Sequence, residues 1–242
     1  MDDLPLFATC PQAVRAVDFG HVLVLMDYRT GTVQALRPPA ATQWDVLCRT
    51  GVLDHLAPAL AHRLLTLGLL APAKGPEQWA PALTVSSAQA SWGSTEHPAG
   101  TVRPLHGRLT DTAAAAAALT VAFGVTRRPR TGLRHALTLL SAVGARTVRP
   151  ATLPEATRAV TAVRRAGWHS PGRTACLEES VATILLLASR RLGARWCHGI
   201  ASDPIRLHAW VQTMNGDDVA EPSSTRAYTP VLTIGDRHHQ PH

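Results

Sequence analysis

The sequence predicts an α+β protein made of two domains. Within residues 1–78, short runs of β-branched and aliphatic residues come first and helical spacing follows. Within residues 103–242 the order is reversed, because helical segments precede a region of alternating apolar and polar residues. Residues 79–102 are rich in proline, glycine, serine and alanine without sustained periodicity, which is typical of a linker. We therefore expect domains at 1–78 and 103–242.

The composition supports a globular chain that remains inside the cell. It has 242 residues, of which 45% are hydrophobic and 17% charged, enough for one large or two small cores. No apolar run approaches the ~20 residues that span a bilayer, and acidic residues stand where a secretory signal has basic ones. The four cysteines have no CxxC spacing. We expect free thiols and a cytoplasmic location.

Three strands and two helices are predicted in the first domain. The strands are expected at residues 14–17, 21–28 and 32–36, with turns at Gly20 and at residues 29–31. Pro38 and Pro39 stop the sheet, and helical spacing covers residues 40–48 and 55–67. This arrangement is an antiparallel meander followed by a helix pair.

The second domain is predicted to be helical first and then to form an antiparallel sheet. Asp111 is an N-cap ahead of an alanine run, and residues 152–155 form a capping box whose helix carries Arg164 on its polar face. A further helix begins at Thr174 or Ala175. Two strands are expected at residues 194–200 and 208–214, and Asn215-Gly216 signals a tight turn into a third strand.

Cys176 is the strongest candidate for a reactive side chain. A cysteine in the first turn of a helix has its thiolate stabilised by the helix dipole and by free backbone N–H groups, which also suit an oxyanion. His208 lies 32 residues later and is the candidate base. Glu178 and Glu179 oppose the thiolate unless they pair with a cation such as Arg173. The alternative is that Cys176 merely packs as a small apolar residue.

A third group should orient the imidazole of His208. A carboxylate that accepts the second ring N–H fixes the tautomer and stabilises the imidazolium. Three acids follow the predicted turn: Asp217, Asp218 and Glu221. Spacing alone does not choose among them.

Three segments of the second domain resemble a known family. Cys176-Leu177-Glu178-Glu179-Ser180, the segment from Trp196 to Ile200, and His208-Ala209-Trp210-Val211 are similar to the transglutaminase-like cysteine peptidases of lasso-peptide biosynthesis. The resemblance implies a transglutaminase/papain-like α+β peptidase domain in which Cys176 is the nucleophile, His208 the base and Glu221 the acid. The acid is commonly aspartate in that family, so Asp217 and Asp218 remain alternatives.

The first 75 residues resemble a second family. Residues 14–17, 22–25 and 28–31 with the helices that follow are similar to the winged-helix-like precursor-recognition domains related to the peptide chaperone of pyrroloquinoline quinone assembly. Such domains bind a leader peptide as an added strand, a mode that needs an open strand edge and an apolar groove wall. The expected contacts are Thr32, Val33, Gln34, Ala35, Leu36, Leu60 and Leu64. DNA binding, the alternative for such a fold, is disfavoured because residues 1–80 carry six basic and seven acidic side chains.

The two resemblances together imply a peptidase that binds the leader of a lasso precursor and cleaves at the leader–core junction. They also imply a partner, an asparagine-synthetase-like cyclase that uses ATP, while the chain itself has no cofactor. The segment from Arg103 to Arg173 holds twelve arginines and two acids, which would attract an acidic precursor or partner. A non-catalytic peptide-binding adaptor and a glutamine acyl transferase are the alternatives.

Other residues have ordinary explanations. Cys197 and His198 are neighbours on a strand and point to opposite faces, which disfavours a shared zinc ion. The tail histidines His238, His239 and His242 are not expected to take part in the chemistry. Trp168, His169 and Trp210 either line a substrate cleft or pack against the core.

Overall fold

The computed structural model describes residues 4–85, 109–170 and 174–235. The chain divides into two compact units, Met1–Ala90 and Ser91–His242, and each is treated separately below. Both units combine helices with sheets, so the predicted α+β class is confirmed. None of the helices within the described ranges is long and apolar enough to cross a membrane.

The first unit consists of a small sheet, a two-stranded ribbon and two helices. Its elements are β1 (Phe7–Thr9), β2 (Val14–Asp18), β3 (Leu23–Asp27), β4 (Thr32–Leu36), α1 (Pro38–Thr50), α2 (Pro58–Thr66), β5 (Ala71–Ala73) and β6 (Leu83–Thr84). The sheet order is β4-β3-β2-β6, and β1 pairs with β5. The predicted antiparallel meander is therefore present, with β4 at one edge. The resemblance of this unit to winged-helix-like precursor-recognition domains stays a prediction.

A buried carboxylate holds the turn between β3 and β4. Asp27 is 0% exposed and accepts hydrogen bonds from the backbone N–H and the guanidinium of Arg29, and from the Thr30 hydroxyl. Arg29 also donates to the carbonyl oxygen of Gly68, 2.8 Å away, after the end of α2. The buried charge of Asp27 is thus paired with the guanidinium of Arg29. Arg29 in turn links the sheet to the segment that follows α2.

The first unit extends beyond residue 78, where the linker was predicted to begin. Trp79 packs edge-on against Trp44 of α1, with ring centroids 6.0 Å apart. Leu83–Thr84 adds a parallel strand to β2. These contacts of residues 79–85 were not predicted, because distant residues rather than local periodicity order this proline-rich segment. The domain limits at 1–78 and 103–242 stay a prediction. The rest of the predicted linker, residues 86–102, lies outside the described residues.

The second unit is a layer of helices packed on a three-stranded sheet. Its elements are α3 (Leu109–Thr126), α4 (Gly132–Gly144), β7 (Arg149–Pro150), α5 (Leu153–Trp168), α6 (Cys176–Ser189), β8 (Leu192–Gly193), β9 (Arg195–Ser202), β10 (Ile205–Gln212) and β11 (Thr229–Ile234). The antiparallel sheet has the order β10-β9-β11, and β7 pairs with β8 in parallel. Helix α6 packs against α3, α4, α5 and β10, so it lies at the centre of the unit.

Local sequence signals explain where helices α5 and α6 begin. The predicted capping box begins α5, where the Glu155 carboxylate accepts the Thr152 backbone N–H at 2.9 Å. In α6, the Glu178 carboxylate accepts the Ala175 N–H at 3.1 Å, and Val181 and Ile184 lie in the core as the spacing predicted. Each helix start is therefore fixed by a glutamate in its own first turn.

The third strand of the sheet forms later in the chain than predicted. After the turn at Asn215-Gly216 only an isolated bridge joins Asp218 to Gln212. The chain then continues through a 3₁₀ turn, Ser223–Ala227, before β11 pairs with β9 on the side away from β10. The prediction of an immediate strand was wrong because Pro222 and the left-handed backbone of Ala220 break the extended conformation.

Candidate active site

Cys176 is the first residue of α6 and is half-buried. The backbone of Ala175 is extended and turns into the helix at this residue, so the side chain stands in the first turn, as predicted. Backbone N–H groups in a first turn lack acceptors within their own helix, and together with the helix dipole they favour an anion there. The position therefore suits a thiolate.

His208 lies in the middle of β10 and its side chain is 13% exposed. Its Nε2 atom is 2.8 Å from Oε2 of Glu221. Burial alone would lower the pKa of the imidazole, but hydrogen bonds to Cys176 and Glu221, with the charges of both groups, outweigh it and raise the pKa to about 9. Because Nε2 is engaged by Glu221, Nδ1 is the nitrogen left for Cys176. The ring is thus held as an imidazolium at neutral pH between a sulfur and a carboxylate.

A glycine on the neighbouring strand makes room for the rings beside His208. Gly199 pairs with His208 across β9 and β10, and a Cβ atom there would lie 2.8 Å from the Trp210 ring and 2.7 Å from the carbonyl oxygen of Thr229. Trp210 stacks on His208 with centroids 5.6 Å apart and planes 9° apart. The ring of Tyr228 lies 5.0 Å from that of His208. The aromatic contacts restrict the imidazole orientation.

The side chain of Glu221 is buried, with only 4% of it exposed. Its Oε2 also accepts a hydrogen bond from the Thr225 hydroxyl at 3.0 Å, and its Oε1 accepts one from Nη2 of Arg164 at 2.7 Å. Burial would raise the pKa of this carboxyl, but the hydrogen bond to His208 and the charge of Arg164 outweigh it, so the pKa lies below its usual value. Glu221 is therefore an ionised acceptor for the imidazolium.

The two alternative acids are engaged elsewhere. Asp217 accepts from the Thr213 hydroxyl at 3.0 Å within the turn. Asp218 accepts from Nε1 of Trp210 and from Nε2 of Gln212, both at 2.8 Å. The structure thus brings Glu221 to His208, whereas Asp218 orients the tryptophan that stacks on the imidazole.

The carboxylates of Glu178 and Glu179 are paired with arginines that lie outside α6. Oε2 of Glu179 is 3.5 Å from Nε of Arg164, and Oε1 of Glu178 is 3.6 Å from Nε of Arg127. The suggested partner Arg173 lies outside the described residues. Arg164 was expected on a polar helix face, but its contact with Glu221 was not predicted, because 57 residues separate the two and no local pattern marks such a contact.

A buried hydrogen bond fixes the helix of Cys176 to the sheet. Nε1 of Trp196 donates to Oγ of Ser180, 2.9 Å away. His198 lies two residues after Trp196 on β9 and is buried. Desolvation and the charge of His208 lower the pKa of His198 to about 4. His198 is therefore neutral, which fits a packing role. Among the described residues, no group of three His, Cys, Asp or Glu side chains is placed to hold a metal ion.

The aromatic residues expected to line a cleft do not all lie near Cys176 and His208. Trp168 is 50% exposed at the end of α5 and His169 is also exposed, whereas Trp210 is buried beside His208. His238, His239 and His242 lie outside the described residues. Of these residues, the structure brings Trp210 to the candidate site.

Strand β4 of the first unit forms an open edge, since among the residues that the structure describes it pairs only with β3. Val33 and Ala35 are exposed, and Thr32, Gln34 and Leu60 are half-buried. The Gln34 side chain accepts a hydrogen bond from Nε of Arg63 on α2 at 2.9 Å.

The expected groove contacts at Leu36 and Leu64 are corrected by the structure. Leu36 is 3% and Leu64 0% exposed, and both belong to the core of the first unit. Their side chains support β4 and α2 from within and are not available to a docked strand. The helical spacing that singled out Leu64 marks the buried face of α2 rather than its outer face.

The comparison with protein families agrees with the geometry of the second unit. Residues 115–233 match the family model described as transglutaminase-like superfamily. The chain thus carries a transglutaminase-like domain, a class compatible with cysteine peptidase or acyltransferase activity. The match includes Cys176, His208 and Glu221 and does not reach the first unit. No curated protein and no solved structure matches the chain.

Proposed function

We propose that this chain is a cysteine peptidase that cleaves a lasso-peptide precursor between leader and core. The contact between Cys176, His208 and Glu221 carries the proposal, because a helix-tip sulfur, an imidazolium and an ionised carboxylate form a nucleophile, an acid–base and an orienting group. The resemblance of the surrounding segments to lasso leader peptidases supports the choice of substrate.

In the acylation step, the Cys176 thiolate attacks the scissile carbonyl carbon and a C–S bond forms. Backbone N–H groups at the start of α6 stabilise the resulting oxyanion. When the C–N bond breaks, His208 gives the proton on Nδ1 to the leaving amine. Glu221 retains Nε2 throughout, so the ring presents the same nitrogen to the reaction.

Water completes the reaction by hydrolysing the thioester. His208, now neutral, takes a proton from the water as its oxygen attacks the acyl carbon, and the C–S bond then breaks to restore the thiolate and imidazolium. The products are a leader with a free carboxylate and a core peptide with a free amine. No intrinsic cofactor is needed for either step.

The first unit is proposed to hold the leader. The open edge of β4 offers backbone N–H and C=O groups to an added strand, and Val33 and Ala35 present side chains beside it. The core amine that the cleavage releases is the nucleophile for macrolactam formation. In keeping with the resemblance, an asparagine-synthetase-like cyclase that uses ATP is the proposed partner.

The test uses a synthetic peptide that carries the leader and core of a lasso precursor. Full-length wild type, Cys176→Ala and the control Cys10→Ala are incubated with it, and the products are read by mass spectrometry. We expect wild type and Cys10→Ala to release leader and core and Cys176→Ala to release neither. Hydrolysis by Cys176→Ala would contradict the assignment of the nucleophile.

Acyl transfer is the second candidate, since the same thioester precedes it and the matching family model is transglutaminase-like. A reaction supplemented with a primary amine such as cadaverine separates the two. Hydrolysis adds the elements of water to the acyl group, whereas transfer adds the amine and gives a different mass. Peptide binding with neither product, with the cyclase present, would instead indicate an adaptor.

A further inference from the structure

We propose that Arg164 is a positioning residue, which holds Glu221 in place and through it the imidazole of His208. The proposal rests on the proposed function of the Cys176 site but concerns a residue outside the triad. Arg164 lies on α5, and its guanidinium contacts two other elements, the loop before the 3₁₀ turn and helix α6. Arg164 thus links α5, this loop and α6.

The contacts of Arg164 use separate nitrogen atoms. Nη2 donates to Oε1 of Glu221 at 2.7 Å, and Nη1 donates to the carbonyl oxygen of Ala220 at 2.6 Å. Nε lies 3.5 Å from Oε2 of Glu179 on the helix that begins with Cys176. A planar guanidinium supports such divergent donors at fixed angles, which an ammonium group does not.

The backbone at Ala220 gives an independent indication of the same role. Its φ angle is +54°, in the left-handed region that residues with a Cβ atom seldom adopt. Ala220 comes directly before Glu221, and its conformation aims the Glu221 side chain at His208 while its carbonyl faces Arg164. Such a backbone persists only where surrounding contacts maintain it, and Arg164 supplies one of them.

Charge balance gives Arg164 a second effect on the site. Its guanidinium serves two carboxylates, Glu179 with a side chain 24% exposed and Glu221 with one 4% exposed. Without Arg164, Glu221 would be a buried anion with His208 as its remaining ion-pair partner, so protonation or displacement of the carboxyl would be favoured. Either change weakens the hydrogen bond that keeps His208 protonated.

The polar and titratable groups that contact His208, or that contact one of its neighbours, come from several elements. They are Cys176 on α6, Glu221 and Thr225 in the loop and 3₁₀ turn, His198 on β9, Arg206 on β10, Tyr228 before β11, Asp218 through Trp210, and Arg164 through Glu221. A shift caused by Arg164 must therefore be separated from the effect of the other carboxylate it contacts, Glu179.

The test follows the imidazole of His208 directly in the full-length protein. Its NMR signals, assigned by their loss in His208→Gln, are titrated in wild type, Arg164→Met and the control Arg158→Met, which alters an exposed arginine of the same helix. We expect Arg164→Met to lower the pKa of His208 by about one unit or more and Arg158→Met to leave it unchanged.

Kinetics on the leader–core peptide supply a second readout. We expect kcat to fall about tenfold or more in Arg164→Met while KM changes little, because Arg164 acts on the imidazole rather than on peptide binding. An unchanged His208 titration together with an unchanged kcat would overturn the proposal. Since the NMR titration needs no peptide, it tests Arg164 even where wild type hydrolyses none, so the two proposals fail separately.

Two further variants keep the test decisive. Arg164→Lys retains the charge and the fold but not the paired donors, so we expect a smaller shift in the same direction; wild-type behaviour of both Arg164→Lys and Arg164→Met contradicts positioning. Arg164→Met combined with Glu179→Gln removes the unbalanced carboxylate near Cys176. If that double variant regained wild-type titration and kcat, Arg164 would only neutralise Glu179, and the proposal would be wrong.

Discussion

The two units of this chain use polar groups in opposite ways. In the first unit the buried carboxylate of Asp27 holds a turn together, and the surface proposed to bind a partner is the backbone edge of β4. In the second unit the buried carboxylate of Glu221 bonds to His208, the base of the proposed nucleophile–base pair. Recognition through backbone groups depends weakly on side-chain identity, whereas acid–base chemistry depends on individual atoms. Substitutions should therefore affect the two activities separately and by different amounts.

The largest expected effect comes from removing the charge of Glu221. Glu221→Gln keeps the size of the side chain but no longer stabilises the imidazolium, so we expect kcat on the leader–core peptide to fall about 10²- to 10⁴-fold. Affinity for the leader, measured by calorimetry with the leader alone, should stay unchanged because the first unit is intact.

Asp217→Asn is the matched control for Glu221→Gln. Asp217 bonds to Thr213 inside the turn, so its loss of charge should leave kcat within about twofold of wild type. The opposite ranking of the two variants would transfer the role of the acid from Glu221 to Asp217.

The site could be predicted from the sequence in part, and the limits have physical causes. Cys176 was identified because a helix start is a local signal, and the capping glutamates that mark it are visible in the chain. The choice of Glu221 over Asp217 and Asp218 depended on the family resemblance, since loop geometry between residues 213 and 222 has no sequence periodicity. Arg164 was missed because its partners are distant in sequence.

The fold, like the site, was predicted where the sequence signals are local and not where distant residues make the contacts. The meander of the first unit was predicted because alternating strands and glycine turns are local features. The extension through Trp79 and β6 was not, since it depends on contacts with Trp44 and β2. Leu36 and Leu64 were placed on a docking surface because helical or strand spacing marks a face without saying whether that face is covered.

The second prediction concerns pH and distinguishes the ion pair of the site from simple packing. His208 has a folded pKa of about 9 against the ordinary value of 6.5, so the folded state binds its proton more tightly. The resulting stabilisation is fully present below pH 6.5 and is lost as the pH rises through about 9. The free energy of unfolding, from urea titrations of wild type and His208→Gln, should show a difference that shrinks across this interval. A difference constant from pH 6 to 10 would contradict the ion pair.

The third prediction concerns the edge of β4 and should alter binding alone. Val33→Asp places a carboxylate beside the proposed leader strand, and we expect the Kd of the leader peptide to rise about tenfold, or about 1.4 kcal/mol. The value of kcat at saturating peptide should stay near that of wild type. Val121→Asp, at a 50% exposed position on α3, is the control and should change neither quantity. An unaltered Kd for Val33→Asp would exclude this edge as the leader site.

The smallest expected effect concerns the arginine-rich segment of the second unit. Arg127, Arg149 and Arg164 form ion pairs with glutamates of the same unit, so only part of the positive charge counted in the sequence is available to a partner. We therefore expect the Kd of an acidic precursor peptide to rise only a few-fold between 50 and 500 mM salt, as for weak screened attraction. Fluorescence anisotropy with a labelled peptide measures it. A salt-independent Kd would show that the segment plays no part in attracting the precursor. A hundred-fold change in Kd would instead place the main binding surface in the second unit and so reverse the roles proposed for the two units.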